Sequence, residues 1–172
     1  MKIFRVMRGH QSGYTLLEVI ASVVVMALLG LGAAAVSRQM MIQGPRDNNN
    51  SVATQNLDNA FATIDRDAAM AQTITPATGG EFPLTLSWTT WSCTVCQVVY
   101  SLQGGALLRQ YSENGAVVST ATIAANINSN ADLTNCAYTG GVLTMKLSAS
   151  VGSGASAVTL TNTYEISPRP GL

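Results

Sequence analysis

An α+β fold is predicted: a long N-terminal hydrophobic helix leads into an amphipathic helix that packs on an antiparallel β head. Three observations predict it. Residues 19–36 are an apolar run of 18 with Ser22 the only polar side chain. Leu57, Phe61, Ile64, Ala68, Ala71 and Ile74 then recur at spacings of three and four, which is helical periodicity. From Phe82 onward the period changes to two, with glycine-rich turns between β-branched runs, which is the pattern of strands.

The chain has 172 residues, enough for one domain with an appendage. Charged residues make up 10% and hydrophobic ones 47%, at a formal net charge of zero. That zero conceals an asymmetry. Lys2, Arg5 and Arg8 lie in the first thirteen residues without any acid, so the rest carries six basic and nine acidic groups, a balance of −3. A weakly acidic chain with scattered arginines has no electrostatic footprint for nucleic acid, and none is expected as a partner.

Residues 1–13 read as a basic leader. The apolar run after it would make a helix of about 27 Å at 1.5 Å per residue, close to the ~30 Å of a bilayer core. An ordinary secretory signal is the alternative. Its hydrophobic region would be shorter, and no small-residue cleavage site stands out beyond Ala35. The basic residues before the span, with only Arg38 and Arg46 just after it, place the N-terminus in the cytoplasm and the bulk of the chain outside. Glu18 lies inside this apolar stretch. A carboxylate in hydrocarbon costs about 2.5–3.5 kcal/mol by insertion scales, so it marks function rather than anchoring. Gly30 and Gly32 are small positions that suit close helix packing.

The run Gly13-Tyr14-Thr15-Leu16-Leu17-Glu18 resembles the processing site of type IV pilins and type II secretion pseudopilins. Tyr14 stands where that family usually has Phe, and an aromatic is retained. The resemblance implies cleavage between Gly13 and Tyr14 by a prepilin peptidase and methylation of the new N-terminus. It also implies an assembly role for Glu18, which would meet the N-terminal amine of a neighbouring subunit. An ion pair in low dielectric is far less costly than two isolated ions. The partners implied are other pilins or pseudopilins and an inner-membrane assembly platform. The location implied is a single pass through the inner membrane with the head outside the cytoplasm, then a filament.

Gly44-Pro45 interrupts the helical pattern, because proline removes a hydrogen bond and restrains the residue before it. A kink or short break is expected between Gln43 and Asn50, with Asn50 or Ser51 as a new N-cap. The expected divisions are leader 1–13, membrane or filament helix 14–43, amphipathic helix 44–75 and β head 76–172. The second helix should end near Thr75-Pro76 and Gly79-Gly80, with Asp58, Asp65, Arg66 and Asp67 interleaved among its apolar positions; Asp65 and Asp67, two residues apart, point to different faces and read as a solvated helix end. Strands are expected at 83–88, 95–103, 106–112, 116–123, 142–149 and 157–166, and a polar loop at 126–135. The turns Gly104-Gly105, Asn114-Gly115 and Gly140-Gly141 make antiparallel hairpins. Two looser resemblances, in Ile64-Asp65-Arg66-Asp67-Ala68 and in the stretch Val98 to Arg109, are similar to J-type minor pseudopilins and W-type minor pilins. They point to a minor subunit.

The sequence argues against an enzyme. Cys93-Thr94-Val95-Cys96 runs into a strand, whereas a redox CxxC sits at a helix N-terminus. Zinc lacks ligands, since the remaining cysteine is Cys136 and the single histidine is His10. Residues 128–132 offer oxygen ligands without calcium-loop spacing, so no cofactor or metal is expected. A structural disulfide is expected instead, with Cys96–Cys136 or Cys93–Cys136 preferred and Cys93–Cys96 second, because a longer loop stabilises more. Trp88 and Trp91 are either core or a partner surface. The rivals to a pseudopilin are a minor type IV pilin and a membrane-anchored surface adhesin.

Overall fold

The computed structural model describes residues 14–168 and divides the chain into two compact units at Met41/Ile42. In the first, residues 16–41 are helical and every side chain from Tyr14 to Met41 is exposed. The second is an α+β head. A single helical assignment, α1 (Leu16–Met70), runs through both units.

The break expected at Gly44-Pro45 does not occur. Residues 43–50 stay helical, and Asn50 and Ser51 are interior positions rather than N-caps: Ser51 Oγ donates to Asp47 O at 3.1 Å and Thr54 Oγ1 to Asn50 O at 3.0 Å. Proline deletes one donor from a 55-residue helix, while the core contacts that hold the following turns begin at Ala53. The helix also ends earlier than periodicity suggests, at Met70. Ala71 and Ile74 are buried, yet they lie beyond it, and Thr73–Ala77 is strand β1. The shared apolar spacing carried the helical reading across that boundary.

Seven further antiparallel strands follow: β2 (Glu81–Trp88), β3 (Cys96–Gln103), β4 (Ala106–Glu113), β5 (Ala116–Ala124), β6 (Asn135–Thr139), β7 (Val142–Val151) and β8 (Val158–Ile166). β1 to β5 form a five-stranded meander and β6 to β8 a three-stranded sheet. Sequence periodicity missed β1 and β6, each only five residues long. The two-residue turns appear where expected: Gly104 and Gly105 have φ of 58° and 76°, Asn114 and Gly115 of 50° and 86°. Positive φ at both central positions matches the strand twist of a tight hairpin. Backbone bonds tie the β1–β2 turn to β6, Cys136 N donating to Gly80 O at 2.8 Å, and the loop after β5 to β7, Asn128 N donating to Ser148 O at 2.8 Å.

Ala53, Leu57, Ala60, Ile64 and Ala68 form the buried stripe of the helix. They belong to one core with Leu84 and Leu86 of β2, Val98 and Tyr100 of β3, and Leu143, Met145 and Leu147 of β7. Alternate residues of β2 and β7 point into that core, as one-sided burial of a strand requires. Phe61 stacks on Tyr164 with ring centroids 4.3 Å apart.

Asp67 departs from its expected place. It is buried, 2% exposed, while Asp65 stays exposed. Arg109 Nε donates to Asp67 Oδ2 at 2.6 Å and Arg109 Nη2 to Oδ1 at 3.1 Å, and the Tyr100 hydroxyl donates to Oδ2 as well. The carboxylate thus accepts a two-pronged guanidinium bond and a phenol bond inside the core, which satisfies a charge that burial would otherwise penalise. Burial first, then Asp67 beside it, pushes the Tyr100 hydroxyl well above its ordinary range, so it remains a donor. The hydrogen bond to Asp67 likewise raises Arg109.

The disulfide joins Cys93 to Cys96, whose Cα atoms are 5.7 Å apart. The preferred bridges to Cys136 are not formed, and the register explains why. Cys96 pairs across from Trp88 at one end of β2. The Cys136 thiol instead lies against Glu81 O, at 3.5 Å, at the other end. Seven strand residues span about 23 Å, whereas a disulfide needs Cα atoms within about 7 Å. By chain entropy a four-residue loop contributes about 2 kcal/mol, against about 4 kcal/mol for the 40-residue loop.

Cys136 is a free, buried thiol whose burial pushes its pKa up to about 12, from an ordinary 9.0. The unfolded chain therefore releases this proton first as pH rises, and stability is lost upward from pH 9 at up to about 1.4 kcal/mol per pH unit. The expected result is a fall in the denaturant midpoint of the head between pH 9 and 10. Cys136→Ala should start less stable and lose that part of the slope. An identical slope in the two proteins would contradict this assignment.

Candidate functional site

The candidate site is the start of α1. Thr15 precedes the first helical residue, Leu16, so Glu18 occupies the third position of the helix. Glu18 N donates to Thr15 O at 3.0 Å and to Thr15 Oγ1 at 3.4 Å, and Val19 N donates to Thr15 O at 3.2 Å. Thr15 is the N-cap, a residue the sequence reading passed over. Its signal was present in Thr15-Leu16-Leu17-Glu18, the Ser/Thr-x-x-Glu spacing of a capping box. A defined helix start fixes how far Glu18 lies from Tyr14: one helical turn.

Below Glu18 the helix is apolar and uncovered. Val23, Leu28, Leu29 and Leu31 are all more than 60% exposed. The helix is long and apolar enough to cross a membrane, with none of its apolar window buried. Ser22, the one hydroxyl in the run, donates to Glu18 O and Val19 O, both at 2.9 Å. It is satisfied by its own backbone and adds little cost in lipid. Side chains added at Gly30 or Gly32 would meet nothing within 4 Å. The Glu18 carboxylate has no hydrogen bond or ion pair among the described residues. Gly13 and the basic leader lie outside them. Tyr14, the next residue, is 81% exposed.

The family model for the prokaryotic N-terminal methylation motif matches residues 8–34. The chain carries that motif. The methylation motif spans Gly13, Tyr14, Thr15 and Glu18 together with most of the apolar run, and indicates a type IV pilin-like or pseudopilin protein. It implies processing by a prepilin peptidase and assembly with other pilins, and its apolar helix fits a membrane-anchored pilin. No curated protein and no solved structure matches the chain at a significant level.

The other singled-out residues among those described belong to the head. Cys93, Cys96 and Cys136 are all buried in the head. Trp88 is buried and stacks on Tyr111 at 6.2 Å, whereas Trp91 is fully exposed. Among the described residues no cluster of His, Cys, Asp or Glu could hold a metal ion. The two stretches of looser resemblance do meet, through Asp67 on the helix and Tyr100 and Arg109 on the β3–β4 hairpin.

Proposed function

We propose that this chain is a minor pseudopilin, a non-enzymatic structural subunit of a type II secretion pseudopilus. Prepilin peptidase cuts between Gly13 and Tyr14, and the new amine at Tyr14 is methylated. The apolar helix holds the subunit in the inner membrane, with the head outside the cytoplasm, until the assembly platform moves it into the filament. There Glu18 pairs with the N-terminal amine of a neighbouring subunit.

The observation that carries this reading is the methylation motif on an uncovered apolar helix whose Glu18 finds no partner among the described residues. A carboxylate at that depth is costly in lipid. A fixed ammonium one subunit away offsets the cost only after assembly, which makes the charge a discriminator between assembled and free subunits. The minor-subunit reading draws on the joining of residues 64–68 to the 98–109 hairpin around Asp67.

The direct test is intact-mass analysis of the native protein. The expected chain begins at Tyr14 and carries one added methyl group. Assembled material that retains residues 1–13 would reject the processing claim. Co-purification with a retraction ATPase rather than a secretion ATPase and secretin would move the chain to the type IV pili.

A further inference from the structure

The head takes hold of α1 at a single polar residue. Positions 43–48 are all exposed, Asn49 is the first half-buried one, and the core stripe starts only at Ala53. The helix supports itself poorly here. Pro45, one turn earlier, donates no bond to the backbone ladder. Residues 47–51 read Asp-Asn-Asn-Asn-Ser, five side chains that compete with the backbone for hydrogen bonds and rank low as helix formers. Ser51 and Thr54 already turn back on Asp47 O and Asn50 O, contacts that weaken a helix slightly. Against this, Asn49 Nδ2 donates to Ser156 O at 2.8 Å, across 107 positions of the chain.

Ser156 belongs to the connection between β7 and β8. No residue from 152 to 157 is buried, so this connection adds nothing to the core. It is folded all the same: Ala157 N donates to Gly154 O at 3.2 Å and Ser156 Oγ to Ser153 O at 3.1 Å. Among the described residues, its one hydrogen bond to another element is the one accepted from Asn49. Gly152 is needed there for two reasons. Its φ of 84° is left-handed. A Cβ at this position would collide with Asn49 Nδ2 and stand 3.1 Å from Asn49 Cγ and from Ser156 O. The connection is thus shaped as a seat for one carboxamide.

We propose that the β7–β8 connection is a latch on α1, closed by Asn49, which sets whether the rigid part of the head begins at residue 49 or at Ala53. Closed, it keeps the 47–51 run helical although the composition of that run favours other conformations. Open, it lets the run fray while the core stripe from Ala53 onward holds. One neutral hydrogen bond is a weak enough tie to open without unfolding the head, and segments without buried apolar contacts are the ones that open locally. The latch does not depend on the pseudopilin reading: a chain that kept residues 1–13 would still have it.

The test is hydrogen–deuterium exchange of the full chain in detergent micelles, read at the amides of residues 47–52 and, for reference, 57–64. Alanine is the better helix former, so Asn48→Ala, at an exposed neighbour, should slow exchange at 47–52. Asn49→Ala carries the same gain in propensity but loses the latch, and these amides should exchange about fivefold faster in it than in Asn48→Ala. Residues 57–64 should exchange alike in both. Gly152→Ala alters no helix residue and should also speed exchange at 47–52. It should add little in the Asn49→Ala background, where the carboxamide it displaces is already gone. Equal rates at 47–52 in the two asparagine variants would show that the bond holds nothing. Acceleration that extends equally to 57–64 would show that Asn49 supports the whole head. A Gly152→Ala effect undiminished by Asn49→Ala would show that the loop acts by another route. Each of these three outcomes rejects the latch. If Gly152→Ala fails to fold, the comparison of Asn49 with Asn48 decides alone.

Discussion

Glu18→Val is expected to enter the membrane and be cleaved normally, and then to be left out of filaments. Removing the ion removes a cost of about 2.5–3.5 kcal/mol for the free subunit in lipid, so insertion improves. In the proposed filament the same change would leave the neighbour's amine without its counter-ion in an apolar core. If that ammonium then bears a similar cost, incorporation falls on the order of a hundredfold, since each 1.4 kcal/mol is a factor of ten. Glu18→Gln should also fail, because the amide has nearly the shape of the carboxylate and lacks its charge. The measurement is the ratio of filament-borne to membrane-borne processed subunit, by quantitative immunoblot of sheared and membrane fractions. Filaments that take up the valine variant at the wild-type ratio would remove Glu18 from assembly. Retention of the leader in the variant would instead assign Glu18 to peptidase recognition.

Asp67→Ala is expected to be the most damaging single change in the head, at about 3 kcal/mol. The substitution leaves the Tyr100 hydroxyl only its long bond to Thr63 O, at 3.4 Å, and leaves Arg109, whose side chain is only 23% exposed, without its carboxylate. For a head of this size that lowers the thermal midpoint by about 10 °C. Tyr100→Phe removes one charge-assisted bond and should cost about 1.5 kcal/mol. Asp65→Ala, two residues away on the exposed side, should change stability by no more than about 0.5 kcal/mol. Asp67→Ala combined with Arg109→Leu should be less damaging than the sum of the two changes, since their groups share one network. Equal effects at Asp65 and Asp67 would show that the buried pair does not hold the head together. Filament assembly measured on the same variants separates a stability defect from an assembly defect.

How far the sequence could be read varied with the range of the interaction. The capping and processing segment is eight contiguous residues, Ser12 to Val19, and its chemistry is visible without any fold. The stripe Leu57, Ile64, Ala68 was legible because burial imposes a 3.6-residue period on one helix. The same stripe misled at both of its limits. Asp67 lies three residues after Ile64 and therefore on the buried side, yet its charge suggested solvent. Ala71 and Ile74 kept the helical spacing although the helix ends at Met70. Long strands such as β7 were found from alternation, whereas β1 and β6, five residues each, are too short for a period of two to stand out.

What the sequence determined by itself was the partition between oil and water: an apolar helix with one acid in it, a helix with one apolar face, and strands that alternate between turns. These are properties of neighbouring residues, so the chain's order alone expresses them. The tertiary structure decided which distant groups meet. It gave Asp67 the Tyr100–Arg109 pair, set Cys136 at the far end of β2 from Cys96, and left β5 uncovered at the sheet's edge. Each of these depends on strand neighbours and register, where a shift of one residue turns every side chain to the other face, and no local pattern carries that information.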